Sequence, residues 1–100
     1  MRFAIAATLL LIATPILAKE FPPVGGYGFD WLQPETAVCH RITRKDSKLF
    51  RTCTFSASGY AFGIASSYHT CRISEQSELM IYQSQALCIE ALETMQANAP

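Results

Sequence analysis

Charge is scarce and balanced in this sequence. Eight Lys and Arg stand against eight Asp and Glu over 100 residues, so the formal net charge is zero. A protein that lives on nucleic acid needs a basic surplus to displace counterions from phosphate, and the whole chain offers none. Glycine and proline are few, five of each, which excludes a collagen or a low-complexity tract. Half of the residues are hydrophobic, too many for a disordered tail. The cysteines have no CxxC pairing, the serines no GxSxG elbow, and GGYG is neither a P-loop nor a dinucleotide fingerprint. The single asparagine, Asn98, precedes Ala99 and Pro100 and makes no glycosylation sequon.

Long apolar runs are confined to the N-terminus. Arg2 is a short basic n-region, residues 3–13 are apolar apart from Thr8, Pro15 interrupts the run, and Ala18 supplies a small residue at a cut. This order reads as a cleaved secretory signal peptide over residues 1–18, although Ile16 stands where a small residue is preferred. A retained spanning helix needs about 20 apolar residues, and this run is shorter. The remaining 82 residues hold 36 hydrophobic ones, with 7 basic and 8 acidic side chains. That is an ordinary composition for one globular domain in a secreted or periplasmic setting.

All four cysteines, Cys39, Cys53, Cys71 and Cys88, lie beyond the leader. An even count behind a signal peptide predicts two disulfides, which a domain this small uses to supplement a modest core. The spacings of 14, 18 and 17 residues do not match a zinc module. A hairpin symmetric about Asp46 sets Cys39 opposite Cys53 and Ile42 opposite Phe50, at a cross-strand distance a disulfide accepts. Cys39–Cys53 with Cys71–Cys88 is therefore the expected pairing. A rival joins Cys39 or Cys53 to Cys88.

Residues 19–35, KEFPPVGGYGFDWLQPE, form an extended arm rich in Pro, Gly and aromatics, followed by a stapled domain over 36–100. Strands are expected at 36–43, 49–56, 60–65 and 68–73, with turns at Asp46 and at Ser58 with Gly59. ELMIY at 78–82 reads as a short fifth strand, or as the start of the next helix. Ser84 is a good N-cap, and Leu87, Cys88, Ala91, Leu92 and Met95 recur at helical spacing, closed by Asn98 and Pro100. The expected fold is α+β: a small antiparallel meander of four or five strands against one C-terminal helix.

Four disulfide-bonded cysteines leave no thiolate nucleophile, and no carboxylate pair is singled out, so catalysis is not expected. A small hydrolase is retained as an alternative. His40 and His69, with Met80 or Met95, form the only donor set for a metal-handling alternative. No cofactor is indicated. The stronger signal is uneven charge. Residues 41–51 carry Arg41, Arg44, Lys45, Lys48 and Arg51 against Asp46, while residues 72–95 carry Arg72 against Glu75, Glu78, Glu90 and Glu93. The pattern points to a small interaction protein of inhibitor, immunity or envelope-accessory type, meeting another protein or an anionic envelope component. Arg44, Lys45 and Lys48, with Tyr27, Phe29 and Trp31, are the candidate contacts.

Overall fold

The computed structural model describes residues 19–57 and 59–98. The leader expected at 1–18, the turn residue Ser58 and Pro100 lie outside the described residues. Five strands and two α-helices follow in chain order: β1 (Tyr27–Asp30), β2 (His40–Arg41), α1 (Arg44–Ser47), β3 (Thr52–Ser56), β4 (Tyr68–Ser74), β5 (Ser77–Tyr82) and α2 (Gln85–Asn98). The strands form one antiparallel sheet in the order β2-β1-β5-β4-β3. The consecutive strands β3, β4 and β5 make the meander. β1 pairs on the far side of β5, and β2 adds at its edge.

The sheet is organised around β5. Leu79, Met80, Ile81 and Tyr82 are all buried, so this strand faces protein on both sides. Its side chains alternate between two cores. Met80 and Tyr82 join Phe29, Ile64 and Ala37 on one face, where Cys88, Ala91 and Met95 of α2 cover them. Leu79 and Ile81 join Cys71, Phe21 and Ile42 on the other, flanked by Phe50, Phe55 and Ile73. ELMIY is thus a strand. A run that must bury four consecutive side chains cannot do so on one helical stripe.

The helix starts where Ser84 predicts. Its hydroxyl accepts the Leu87 N–H at 3.2 Å, and its carbonyl accepts the Cys88 N–H at 3.1 Å. Cys88, Ala91 and Met95 then recur at three and four residues and make the buried stripe.

Three expectations are corrected. No hairpin forms about Asp46: β2 and β3 lie at opposite edges of the sheet. Three strands separate them, so they stand about 19 Å apart at four strand spacings, beyond disulfide reach. The disulfides are Cys39–Cys88 and Cys53–Cys71, with Cα separations of 6.1 and 4.1 Å, not Cys39–Cys53 and Cys71–Cys88. Cys71 and Cys88 belong to different cores with the sheet between them. Cys53 instead faces Cys71 directly across the β3–β4 pair.

The third correction concerns residues 60–65, which are not a strand. They contain one 3₁₀ turn, Ala61–Gly63, in which Phe62 (φ 56°) and Gly63 (φ 74°) are left-handed. Large and small residues alternate here, but the neighbours Ala61 and Phe62, which a strand would send to opposite faces, both pack on the helix-side core, Phe62 with its ring 6.0 Å from Phe29.

Residues 19–35 are built into the sheet. β1 lies beside β5, and Phe29 is fully buried. Gly28 pairs with Ile81, where an added Cβ would sit 2.8 Å from Ile81 Cγ1 and 2.9 Å from the Met80 carbonyl oxygen. Gly28→Ala is therefore expected to cost about 1–3 kcal/mol in urea unfolding; an unchanged midpoint would show that β5 can yield. Cys39→Ser with Cys88→Ser opens a 49-residue separation and is expected to cost about 4 kcal/mol by chain entropy. Urea unfolding of the oxidised double variant reads this directly.

Candidate functional site

The basic residues sit on a rigid turn that crosses the face of the sheet opposite α2. The segment starts at Ile42, fully buried in that face, and ends at Phe50, packed against the same core. Backbone bonds fix the Ile42 end: Gly25 N–H donates to the Ile42 carbonyl, and Ile42 N–H to the Gly26 carbonyl, each at 2.8 Å. Between the anchors the chain makes α1. Thr43 and Asp46 form a reciprocal capping box, in which Asp46 N–H donates to Thr43 Oγ1 at 3.2 Å and Thr43 N–H donates to Asp46 Oδ2 at 2.8 Å. Ser47 Oγ–H closes the turn on the Arg44 carbonyl at 2.7 Å.

This local structure explains the missing hairpin. Thr43 caps a helical turn where an extended strand would have to continue. The signal was present as Thr43-x-x-Asp46, a capping pattern just ahead of the charged residues.

Arg44, Lys45 and Lys48 are all exposed, and so are the flanking Arg41 and Arg51. Among the described residues no carboxylate lies within ion-pair distance of Arg44, Lys45 or Lys48; the ion pair found is Arg72–Glu78 at 3.3 Å. Asp46 is the one acid nearby, and its oxygens face Thr43. The hydrogen bond from the Thr43 backbone holds the Asp46 carboxyl below its ordinary value of 3.8, with help from the Thr43 hydroxyl and the charges of His40 and Lys45, against partial desolvation. Beside these cations Leu49 is 60% exposed, an apolar contact that charge counting does not reveal.

The aromatic candidates separate from the basic turn. Phe29 is fully buried and is a core residue, not a contact. Tyr27 is half-buried against the helix-side core. Trp31 is 37% exposed, and its indole N–H donates to Glu78 Oε1 at 2.9 Å, which fixes the ring beside the Glu78–Arg72 pair. Glu78 alternates with Leu79, so it lies on the helix side of the sheet, whereas the basic turn crosses the other side. Trp31 and Lys45 are therefore not parts of one patch.

His40 and His69 do not meet. His40 pairs with Gly28, Gly28 with Ile81, and Ile81 with His69, so three strand spacings, about 14 Å, separate them. Met80 and Met95 belong to the opposite core. The proposed metal donor set is thus dispersed, and among the described residues no cluster of three His, Cys, Asp or Glu could hold an ion. His69 is instead a clasp. Its Nε2–H donates to the Phe21 carbonyl, and its ring lies 4.7 Å from Phe21 and 4.9 Å from Phe55. It holds the chain near Phe21 on the sheet.

No protein-family model, curated protein or solved structure matches this chain. Function therefore rests on the chain's own geometry. This is a small disulfide-rich protein, compatible with a secreted binding role. Among the described residues no helix is long and apolar enough to cross a membrane. The sheet separates two groups of charge. The basic turn lies on one side, and exposed Glu90 and Glu93 of α2 lie on the other.

The Asp46 carboxylate contributes stability in full above pH 3.8, and that contribution is lost as pH falls through the depressed folded value. Asp46→Asn is expected to lower Tm at neutral pH and to flatten the fall in Tm on acidification below 3.8. Superimposable Tm–pH curves for the two proteins would exclude the cap as a stabilising contact.

Proposed function

We propose that this protein is an exported, secreted or periplasmic binding protein that docks an anionic partner on the Arg44–Lys48 turn and works through surface recognition, not catalysis. The partner is an acidic protein surface or an anionic envelope component. An inhibitor, immunity or envelope-accessory role would work through such a contact. The observation that carries this reading is the exposure of Arg44, Lys45 and Lys48 on a capped turn whose only acid is occupied by its own cap. The capped backbone needs little ordering on binding, and the field of the unpaired cations steers an anion toward them.

The cysteines and two of the carboxylates are engaged within the fold. The four cysteines are paired. Asp30 accepts from Leu32 N–H, Glu78 N–H and the Ser77 hydroxyl, and Glu78 holds both Arg72 and Trp31. These carboxylates serve the fold.

Binding to phosphatidylglycerol vesicles and to poly-glutamate tests the reading and separates membrane from polypeptide as the anionic source. Affinity for one of them is expected to weaken as ionic strength rises past about 0.1 M, where screening reaches about 10 Å. Lys45→Glu with Lys48→Glu is expected to weaken it by at least about tenfold, or roughly 1.4 kcal/mol, with an unchanged far-UV spectrum. Binding that ignores both salt and charge reversal would overturn the proposal.

A further inference from the structure

The two disulfides differ in the exposure of the residues they join. Cys39–Cys88 joins a half-buried residue to a fully buried one beneath α2. Cys53–Cys71 joins a fully buried residue to Cys53, which is exposed on the outermost strand of the sheet. Thiol–disulfide exchange requires a thiolate to reach one sulfur of the bond, so access selects which bond is attacked.

We propose that Cys53–Cys71 is a thiol–disulfide exchange site, opened at Cys53 by a dithiol reductant while Cys39–Cys88 stays closed. Opening it frees edge strand β3 and the C-terminal root of the basic turn.

The chemistry is a two-step exchange. One thiolate of the reductant attacks Cys53 Sγ, the bond to Cys71 breaks, and Cys71 leaves with the electron pair and takes a proton. The reductant's second thiol loses its proton and attacks its own sulfur in the mixed disulfide. Cys53 then leaves as a thiolate and is protonated. The dithiol has become an intramolecular disulfide, giving up two electrons and two protons that the two cysteines have gained.

The consequence follows from topology. β3 pairs with β4 over five residues, and among the described residues no strand lies on its other side. Cys53–Cys71 is its covalent hold. The segment carrying Arg44, Lys45 and Lys48 runs from buried Ile42 to Arg51, whose N–H donates to the Arg72 carbonyl at 2.8 Å just before β3. Loss of the bond loosens the second end and leaves the first in place. α2 remains tied to Cys39 through the closed disulfide. Local opening of this kind draws on the least buried unit of a fold, and β3 has three exposed residues in succession, Thr52, Cys53 and Thr54. The proposal is independent of what the basic turn binds.

The test uses the oxidised full chain under native conditions. Dithiothreitol is added, samples are quenched with iodoacetamide over time, and peptides are mapped by mass spectrometry. Amide exchange is then compared between the oxidised and singly reduced forms. Cys53 and Cys71 are expected to be alkylated at least about tenfold faster than Cys39 and Cys88, as access to the attacked sulfur dictates. Exchange is expected to rise over residues 51–56 and to stay unchanged over α2. Alkylation of all four cysteines together, or of Cys39 and Cys88 first, overturns the site. Selective alkylation without faster exchange in β3 overturns the release of the strand.

Discussion

Strand β5 must bury four consecutive side chains, Leu79 to Tyr82, and the rest of the molecule is arranged to meet that requirement. Two successive residues on a strand point to opposite faces, so both faces need a cover. On one side α2 supplies Cys88, Ala91 and Met95. On the other, no second long helix is found among the described residues. The chain covers the face with Phe21, Ile42 and Phe50, drawn from irregular segments. Those segments carry few backbone bonds of their own, and specific contacts hold them: the His69 clasp on Phe21 and the Gly25 and Gly26 bonds to Ile42. The disulfides act where the sheet is weakest. One ties the chain just ahead of the two-residue edge strand β2 to the helix, and the other ties edge strand β3 to β4.

The same arrangement gives the charge distribution its meaning. A net charge of zero hides two opposed regions, and the sheet places them on different sides. The basic turn exists because the connection from β2 to β3 must travel from one edge to the other over the second face. A crossing segment anchored at Ile42 and Phe50 leaves its middle in solvent. Arg44, Lys45 and Lys48 occupy that middle, and the Thr43–Asp46 box keeps it compact. Binding, in this reading, uses a by-product of covering the core.

The strands that precede the helix in the chain were the most legible in the sequence. Residues 68–73 and 78–82 became β4 and β5, and Ser84 with its apolar stripe became α2, because local propensity and tertiary burial agree there. The α+β class and the single sheet followed from the same signals, and the two disulfides from the even cysteine count. Where local and tertiary demands differ, the reading failed. TAVCHRIT is rich in β-formers, yet only His40 and Arg41 pair, since Ile42 turns into the second core. YAFGIA alternates like a strand, yet the neighbours Ala61 and Phe62 go to one core, because the chain turns left-handed at Phe62 and Gly63. The aromatic segment at 19–35 hid a strand, because Gly28 is needed against Ile81 and glycine usually argues against strands.

By itself the sequence determined the staples' number, the helix, the two central strands and the residues that carry positive charge, since each depends on composition or on spacing within a few positions. Only the tertiary structure decided which cysteines pair, that Phe29 is core, that His40 and His69 stand apart, and that the basic turn and Trp31 occupy different faces. Each of these depends on strand order. Two edge strands that are neighbours in sequence were separated by three others, because β5 had to lie in the middle to be buried on both sides.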